Sequence, residues 1–272
     1  MSRLKKALEK AKEARQTQRV SEEHIARHEG LSEISAPADE DRQKPSVPAY
    51  WQTKKCEIDQ AFVRQNRVLT VCVEDSTDQL KILRTQVLRD LNVVEKNSLL
   101  VTSANHGEGK TLTAINLAFS FSHQLDRTVM LIDADIRKPS VHKYLGLGIH
   151  PGLSDYLEGE ADAIEDFFIS PGMDRIMILP GGKPRRNSAE LLSSPKMKQL
   201  FSYIRKKFSE HIIIFDGAPV LASADPLVFD EFIDGIILVV EAEKTSREDV
   251  NRVMEVMKGK NIIGTVFNKF RG

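Results

Sequence analysis

The hydrophobic pattern divides the chain near residue 67. Downstream, short and almost continuous runs of Val, Ile and Leu alternate with amphipathic stretches. The runs cover residues 68–73, 98–103, 128–133, 175–179, 211–216, 235–241 and 262–267, and stretches long enough for helices cover 111–125, 195–207 and 245–258. Continuous apolar runs separated by helices are typical of a parallel sheet that is buried on both faces. We therefore predict an α/β domain over residues 67–272, with a mostly parallel sheet and helices on both faces.

The upstream part of the chain has a weaker pattern. Residues 3–19 carry Leu and Ala at helical spacing, with seven Lys or Arg against two Glu. This pattern predicts a basic helix within residues 1–19, suited either to a partner or membrane surface or to solvent. Residues 20–66 are polar and aperiodic, and prolines such as Pro45 and Pro48 interrupt any helix there. We expect a flexible linker over 20–66.

Composition narrows the classes of function. The 272 residues contain 39 Lys plus Arg and 39 Asp plus Glu, so the formal net charge is zero. A balanced charge argues against a strongly basic nucleic-acid binder, and we expect no nucleic-acid partner. Two cysteines cannot form a disulfide framework and fit a reducing compartment. No apolar run approaches the ~20 residues of a membrane span or resembles a secretory signal, so we expect a cytoplasmic protein.

A phosphate-binding segment follows the predicted strand 98–103. Residues 103–111 read Ser-Ala-Asn-His-Gly-Glu-Gly-Lys-Thr and fit the Walker A spacing, with Ala104 in place of the first glycine. Its glycines let backbone N–H groups approach phosphate oxygens, and the helix that follows directs its positive dipole end at the anion. Lys110 can reach the β- and γ-phosphates, and the Thr111 hydroxyl can bind Mg²⁺. The predicted nucleotide-binding residues of this loop are Ala104, Asn105, His106, Gly107, Glu108, Gly109, Lys110 and Thr111.

Three aspartates stand at the carboxyl ends of predicted strands. Asp133 and Asp135 end the strand that follows the P-loop unit, and Asp216 ends the run 211–216 in the manner of a Walker B strand. Ligands of open α/β sheets bind at this end of the strands. Carboxylates there suit Mg²⁺ coordination and the acceptance of a proton from an attacking hydroxyl. Together with the loop, they predict Mg-nucleotide chemistry on a P-loop NTPase fold.

These motifs resemble, in sequence and in order along the chain, those of the bacterial tyrosine kinases of capsule and exopolysaccharide loci. The likeness covers roughly residues 75 to 270 and includes the segments LIDADIRKP, IIIFDGAPVL, NSAELLSS and GTVFNKFRG. The basic N-terminal segment and linker also resemble the autokinases of exosortase-linked exopolysaccharide loci. The resemblance implies a protein-tyrosine kinase that regulates exopolysaccharide synthesis and uses ATP and Mg²⁺.

The resemblance also implies roles for individual residues. Lys110 would stabilise the phosphates, while Thr111, Asp133 and Asp216 would hold Mg²⁺. Asp135 is the better candidate for orienting or deprotonating the tyrosine hydroxyl, although the division of roles between Asp133 and Asp135 stays open. We expect Lys110 to lie on a solvent-facing loop, so that Lys110→Met would leave the fold intact.

Other parts of the resemblance concern Arg137 and assembly. Arg137 belongs to the second Walker-type motif, where phosphate contact and salt bridging are both possible. Asp78-x-x-Lys81-x-x-Arg84 stands where many members carry Glu-x-x-Arg-x-x-Arg, a helix motif used in ring assembly. Lys lacks the two-pronged fork of Arg, so a weak homo-oligomer is expected. A membrane-anchored polysaccharide chain-length or co-polymerase protein would hold the kinase at the inner face of the membrane.

The acceptor tyrosine is the largest departure, because many members carry a tyrosine-rich C-terminal cluster. The tyrosines here are Tyr50, Tyr144, Tyr156 and Tyr203. The last three fall in predicted helical segments, whereas Tyr50 lies in the predicted linker. Seventeen residues separate Tyr50 from Val68, and a flexible segment of that length spans about 21–25 Å. We therefore expect Tyr50 to be phosphorylated first.

Two rival functions stay open. Partition and division-site ATPases share this branch of the fold but carry a second lysine in the P-loop, whereas here Asn105 follows Ala104 and no lysine precedes Gly109. A non-catalytic regulator would bind ATP only to control assembly with a membrane partner. Formation of phosphotyrosine separates that regulator from a kinase.

Overall fold

Eight strands form one sheet in the computed structural model, which describes residues 54–71, 78–92, 97–124 and 128–270. The strands are β1 (Lys54–Lys55), β2 (Ser98–Ser103), β3 (Thr128–Asp133), β4 (Ile169–Ser170), β5 (Ile176–Leu179), β6 (His211–Asp216), β7 (Gly235–Glu241) and β8 (Ile262–Asn268). The helices are α1 (Gln60–Gln65), α2 (Asp78–Asn92), α3 (Lys110–Ser122), α4 (Val141–Tyr144), α5 (Leu153–Glu158), α6 (Ser188–Leu192), α7 (Pro195–Lys207), α8 (Asp225–Val228) and α9 (Arg247–Val256). Short 3₁₀ turns cover Leu69–Val71, Ile164–Phe167 and Phe229–Glu231.

The strand order brings the predicted motifs to one edge of the sheet. The order is β1-β4-β5-β3-β6-β2-β7-β8, and every neighbouring pair is parallel except β4 and β5. Strand β6 therefore lies between β2, which leads into the P-loop, and β3. The β3–β6 register places Asp133 directly opposite Asp216. The carboxyl ends of these three strands form the floor of the candidate site.

Two hydrophobic clusters cover the two faces of the sheet. Successive residues of β2 alternate between them: Leu99 and Val101 join one cluster with α2 and α3, and Leu100 joins the other with α5 and α7. Both faces of the sheet are thus buried under helices, which explains why the strand sequences are almost continuously apolar. The predicted fold class is confirmed. Within the described ranges, no helix combines the length and the apolar character needed to cross a bilayer.

The apolar run 68–73 is the one predicted strand that the structure contradicts, because Leu69–Val71 forms a 3₁₀ turn. The backbone N–H groups of Leu69 and Thr70 donate to the side-chain oxygen of Asn116 in α3, at 2.8 and 3.2 Å. The Thr70 hydroxyl donates to the Asn116 carbonyl at 2.7 Å. A short apolar run predicts burial, but it does not predict whether its backbone bonds to a strand or to a helix side chain.

Residues 54–66 fell within the predicted linker, yet they contain β1 and α1. Strand β1 pairs in parallel with β4. Asp59 caps α1 by accepting from the N–H of Ala61 at 2.8 Å, and Val63 is the fully buried residue of this helix. Regular structure therefore begins upstream of the predicted boundary at residue 67. The predicted helix within 1–19 and the linker residues 20–53 lie outside the described residues.

The helix α2 carries the predicted assembly motif. Arg84 donates to the carbonyl of Ser120 in α3 at 2.8 Å, so it fixes α2 to its own chain. Lys81 pairs with Asp78 at 3.2 Å on the exposed face. Of the three motif residues, Arg84 is thus engaged inside the molecule, and Asp78 and Lys81 present the surface pair.

Candidate active site

The loop between β2 and α3 owes its shape to two glycines in the left-handed region. Gly107 has φ +83° and Gly109 has φ +98°, which favour glycine over residues with a side chain. A Cβ added at Gly109 would also lie 2.0 Å from the side-chain nitrogen of Asn268. Helix α3 starts at the next residue, Lys110, so its N-terminus faces the loop and favours an anion there.

Lys110 is the cation at the centre of the site. Its Nζ donates to Asp135 Oδ2 at 2.8 Å and lies 3.6 Å from Asp216 Oδ1. The residue is only 8% exposed, so the prediction of a solvent-facing Lys110 is wrong. Burial alone would lower the pKa of the Lys110 ammonium, but the carboxylates of Asp216 and Asp135 outweigh it and raise the pKa above its usual value.

Asp133 and Asp216 supply fully buried carboxylate oxygens to the site. Asp133 Oδ2 accepts from the N–H groups of Ser140 and Val141, at 2.9 and 3.0 Å. Within the described part of the chain, Asp133 Oδ1 accepts no hydrogen bond. The Asp216 carboxylate faces the Thr111 hydroxyl and Lys110, whose Nζ lies 3.6 Å from Asp216 Oδ1. Burial, followed by the charge of Asp216, raises the pKa of Asp133. Burial also raises the pKa of Asp216 against the opposing effect of Lys110.

These oxygens fit a hard divalent cation. Mg²⁺ prefers oxygen ligands and is usually held by one or two carboxylates together with substrate phosphates and water. The Thr111 hydroxyl adds a neutral oxygen beside Lys110, with 3.4 Å between Oγ1 and Nζ. Across the described ranges, no three or more His, Cys, Asp or Glu form a metal cluster. The donor set of two carboxylates and one hydroxyl suits a cation that is shared with phosphates.

The remaining predicted residues occupy the rim of the loop. Glu108 is buried and holds the loop together, since it accepts from the Asn105 N–H at 3.0 Å and from the Thr245 hydroxyl at 2.6 Å. His106 is largely exposed, and the partial loss of solvent around its ring, followed by the charge of Lys138, lowers its pKa. Arg137 is exposed at the turn after Asp135. Phosphate contacts of His106 and Arg137 stay predictions.

Sequence reasoning missed three polar side chains around the site. The hydroxyl of Ser140 lies 3.2 Å from that of Thr111. The side chains of Asn268 and Lys269 bond to backbone carbonyls of the P-loop. The sequence does contain a pattern that indicates Asn268 and Lys269 as site residues. They follow the last apolar run at the carboxyl end of a predicted strand, the kind of position that also identified Asp216.

Comparison with known proteins identifies the family. Residues 99–272 match the CobQ/CobB/MinD/ParA nucleotide binding domain. The tyrosine-protein kinase YwqD of Bacillus subtilis (strain 168) is 34% identical over 196 residues, which are 71% of this chain and 81% of YwqD. The chain belongs to the bacterial tyrosine-protein kinases. The kinase resembles the VpsO kinase domain in structure, with a TM-score of 0.65, 30% identity, and coverage of 77% of this chain and 99% of that one.

Two further comparisons show how far the similarity to known proteins extends. The septum site-determining protein MinD of Pyrococcus horikoshii has a TM-score of 0.51 and 22% identity over 64% of this chain and 70% of MinD, which shows the shared fold alone. The rival ATPase switch is not favoured, because the curated relatives of this chain at 30% identity or more are tyrosine-protein kinases. Tyrosine-protein kinase ptk of Acinetobacter johnsonii is 25% identical over 232 residues, 82% of this chain, and the matched part is 31% of that longer protein.

We expect Asp133→Asn to stabilise the nucleotide-free kinase at alkaline pH. The raised pKa values mean that the folded state retains protons on Asp133 and Asp216 above the usual carboxyl range, so stability falls as pH rises from that range towards the raised pKa values. Asn removes one buried negative charge and keeps an oxygen for the Ser140 and Val141 N–H groups. The expected gain in the free energy of unfolding is about 1–3 kcal/mol at pH 8 and close to zero at pH 4, since a change of about 1.4 kcal/mol accompanies each pKa unit.

Urea denaturation at the two pH values measures this gain. Asp162→Asn serves as the control, because Asp162 is an exposed carboxylate. A gain in Asp133→Asn that is equal at pH 4 and pH 8 would show that the buried charge is not its source.

Proposed function

We propose that this kinase transfers the γ-phosphoryl group of ATP to a tyrosine hydroxyl at the cluster of Lys110, Asp133, Asp135 and Asp216. The position of Lys110 carries the proposal. Its ammonium lies at the N-terminus of α3, 2.8 Å from one carboxylate and 3.6 Å from another. Phosphoryl transfer requires a cation for the phosphates and an acid–base group for the acceptor hydroxyl within one small space.

In the proposed reaction, the ATP phosphates compete with Asp135 for the Lys110 ammonium. The tyrosine oxygen forms a bond to the γ-phosphorus, while the bond from that phosphorus to the β–γ bridging oxygen breaks and its electron pair leaves with ADP. Asp135, released from its ion pair, accepts the phenolic proton. Lys110 neutralises charge on the phosphate oxygens, and the backbone N–H groups of the loop hold them in place.

The contacts of the two candidate aspartates support their separate roles. Both oxygens of Asp135 are engaged, one with Lys110 Nζ at 2.8 Å and the other with the Lys138 N–H at 3.1 Å. Asp133 has one free buried oxygen. We therefore assign Asp133, with Thr111 and Asp216, to Mg²⁺ and Asp135 to the tyrosine proton. When bound, Mg²⁺ would supply further neutralisation of phosphate charge.

The cellular role follows from the motif resemblance to kinases of capsule and exopolysaccharide loci. The kinase would regulate exopolysaccharide synthesis at the inner face of the membrane, docked to a membrane-anchored co-polymerase. Weak self-association would use α2, where the exposed pair of Asp78 and Lys81 is available. An exposed pair contributes only about 0–1 kcal/mol, so such an assembly needs further contacts.

The topology bears on Tyr50 as the acceptor. The expected reach of Tyr50 assumed 17 flexible residues between Tyr50 and the folded domain. That reach is too long, because β1 belongs to the sheet and only three residues separate it from Tyr50. Strand β1 is parallel to β4, and β4 is antiparallel to β5, so the chain enters β1 from the edge at which β3 and β6 end. Three strand spacings of about 4.8 Å separate β1 from β3. At full extension four residues span at most about 14 Å, which matches these three spacings and supports Tyr50 as an acceptor at this edge.

Phosphotyrosine mapping tests the proposal. The kinase is incubated with labelled ATP and Mg²⁺, with and without the cytoplasmic tail of the co-polymerase, and modified sites are located by mass spectrometry. Tyr50→Phe is expected to remove most of the incorporated phosphate, whereas Tyr144→Phe, the matched control in α4, retains it. Phosphate mainly on Tyr144, Tyr156 or Tyr203 would contradict Tyr50 as acceptor. A complete lack of phosphotyrosine under both conditions would favour the non-catalytic regulator.

A further inference from the structure

We infer that Asn268 and Lys269, at the end of the edge strand β8, are positioning residues that orient the P-loop for phosphate. This inference rests on the proposed binding of ATP at that loop. Asn268 Nδ2 donates to the carbonyl of Glu108 at 2.9 Å, and Lys269 Nζ donates to the carbonyl of Gly107 at 2.7 Å. Two consecutive carbonyls of the loop are therefore held from one side by two consecutive residues of another element.

The geometry of the peptide group explains why these two hydrogen bonds would favour an anion in the P-loop. A trans peptide group is planar, and its N–H points away from its C=O. The carbonyl of Gly107 shares a plane with the N–H of Glu108, and the carbonyl of Glu108 shares a plane with the N–H of Gly109. Holding both carbonyls toward β8 turns these two N–H groups to the opposite side of the loop. Inward-pointing N–H groups are the means by which a P-loop binds phosphate.

Both anchoring residues are themselves held in place. Lys269 adopts the left-handed conformation, with φ +58°, and its ammonium also pairs with Glu241 at 3.1 Å. The backbone carbonyl of Asn268 accepts from the Ala242 N–H at 2.9 Å, which ties β8 to the end of β7. The Asn268 amide fills the space beside Gly109 that a Cβ would occupy. An anchor held in this way limits the freedom of the loop before the nucleotide arrives.

Binding of ATP and of tripolyphosphate to the full chain, measured by calorimetry, tests this role. Tripolyphosphate contains the phosphates without ribose or base, so it reports on the loop alone. We expect Asn268→Ala to weaken both ligands by the same factor, about tenfold, since one neutral donor that fixes the loop is lost. Lys269→Met should do the same, and Lys269→Arg should restore most of the affinity because it keeps a donor.

Lys244→Met is the matched control for charge. Lys244 pairs with Glu241 at 3.2 Å, as Lys269 does, and no contact between Lys244 and the P-loop occurs among the described residues. Its substitution removes the same charge from the same acid, so a purely electrostatic effect of Lys269 would appear in both variants. Urea denaturation of each nucleotide-free variant shows whether its fold is retained, and Asn268→Ala and Lys269→Met provide independent tests.

Several results would overturn the inference. Weaker ATP binding with unchanged tripolyphosphate binding would assign Asn268 to the base or ribose instead of to the loop. Unchanged affinity in both variants, or an equal loss in Lys244→Met and Lys269→Met, would also contradict a positioning role. In each of these cases the wild-type kinase still binds ATP, and the proposed function stands. A wild-type kinase that binds neither ligand would contradict the proposed function itself.

Discussion

Lys110→Met is expected to lower phosphotyrosine formation by at least about 10²–10³-fold, the usual effect of removing one preorganised donor from a developing charge. The substitution also removes the cation that Asp135 and Asp216 surround, at 2.8 and 3.6 Å. Removing one partner of a buried ion pair typically destabilises a protein by about 3–5 kcal/mol. Stability must therefore be measured beside activity, because a partly unfolded variant would be inactive for an uninformative reason.

A double variant separates the two effects of Lys110→Met. Lys110→Met combined with Asp135→Asn removes one positive and one negative charge, so we expect it to recover part of the stability lost in the single variant while transfer stays abolished. The loss of stability in Lys110→Met should also be smaller at pH 5 than at pH 8, because protonation relieves the uncompensated carboxylates. Transfer at the wild-type rate in folded Lys110→Met would rule out the proposed role of this lysine.

The fold was predictable from sequence because its strands are buried on both faces. The runs that became β2, β3, β6, β7 and β8 read as continuous apolar segments bounded by polar turns, and the P-loop identified β2. The short strand β1 gave no such signal, since it consists of Lys54 and Lys55, both exposed at the edge of the sheet. The local sequence predicts a strand when the strand is buried, because its residues must then be apolar. It does not predict an exposed edge strand, because pairing at the edge depends on a partner that is distant in the chain.

The environment of the predicted site residues was not predictable. The burial of Lys110 results from β3 and β6, which bring Asp135 and Asp216 to it from 25 and 106 residues away in the chain. The P-loop motif predicts that Lys110 binds phosphate, but the motif does not predict which side chains surround Lys110 in the absence of phosphate. Likewise, the division of roles between Asp133 and Asp135 depends on which oxygens the neighbouring backbone N–H groups engage.

Asp135→Asn is expected to reduce transfer to tyrosine by about 10²–10⁴-fold, the contribution typical of a positioned general base. The amide keeps an acceptor oxygen for Lys110, which also stays 3.6 Å from Asp216. We therefore expect the affinity for ATP to change by less than a factor of about three, since the change leaves Lys110 available to the phosphates. Loss of rate with retained nucleotide binding is the pattern expected of a residue that acts on the acceptor.

The acceptor itself can show whether Asp135 takes a proton. A fluorinated tyrosine in an acceptor peptide is largely ionised near neutral pH and has no proton to give up. If Asp135 accepts the proton, the deficit of Asp135→Asn should shrink to within about tenfold on that peptide, because proton removal is the contribution lost. Asp216→Asn is the comparison: it removes a proposed Mg²⁺ ligand, so its deficit should be equal on both peptides and should respond to the Mg²⁺ concentration. An equal deficit of Asp135→Asn on both peptides would mean that Asp135 acts through its ion pair with Lys110 and not as the proton acceptor.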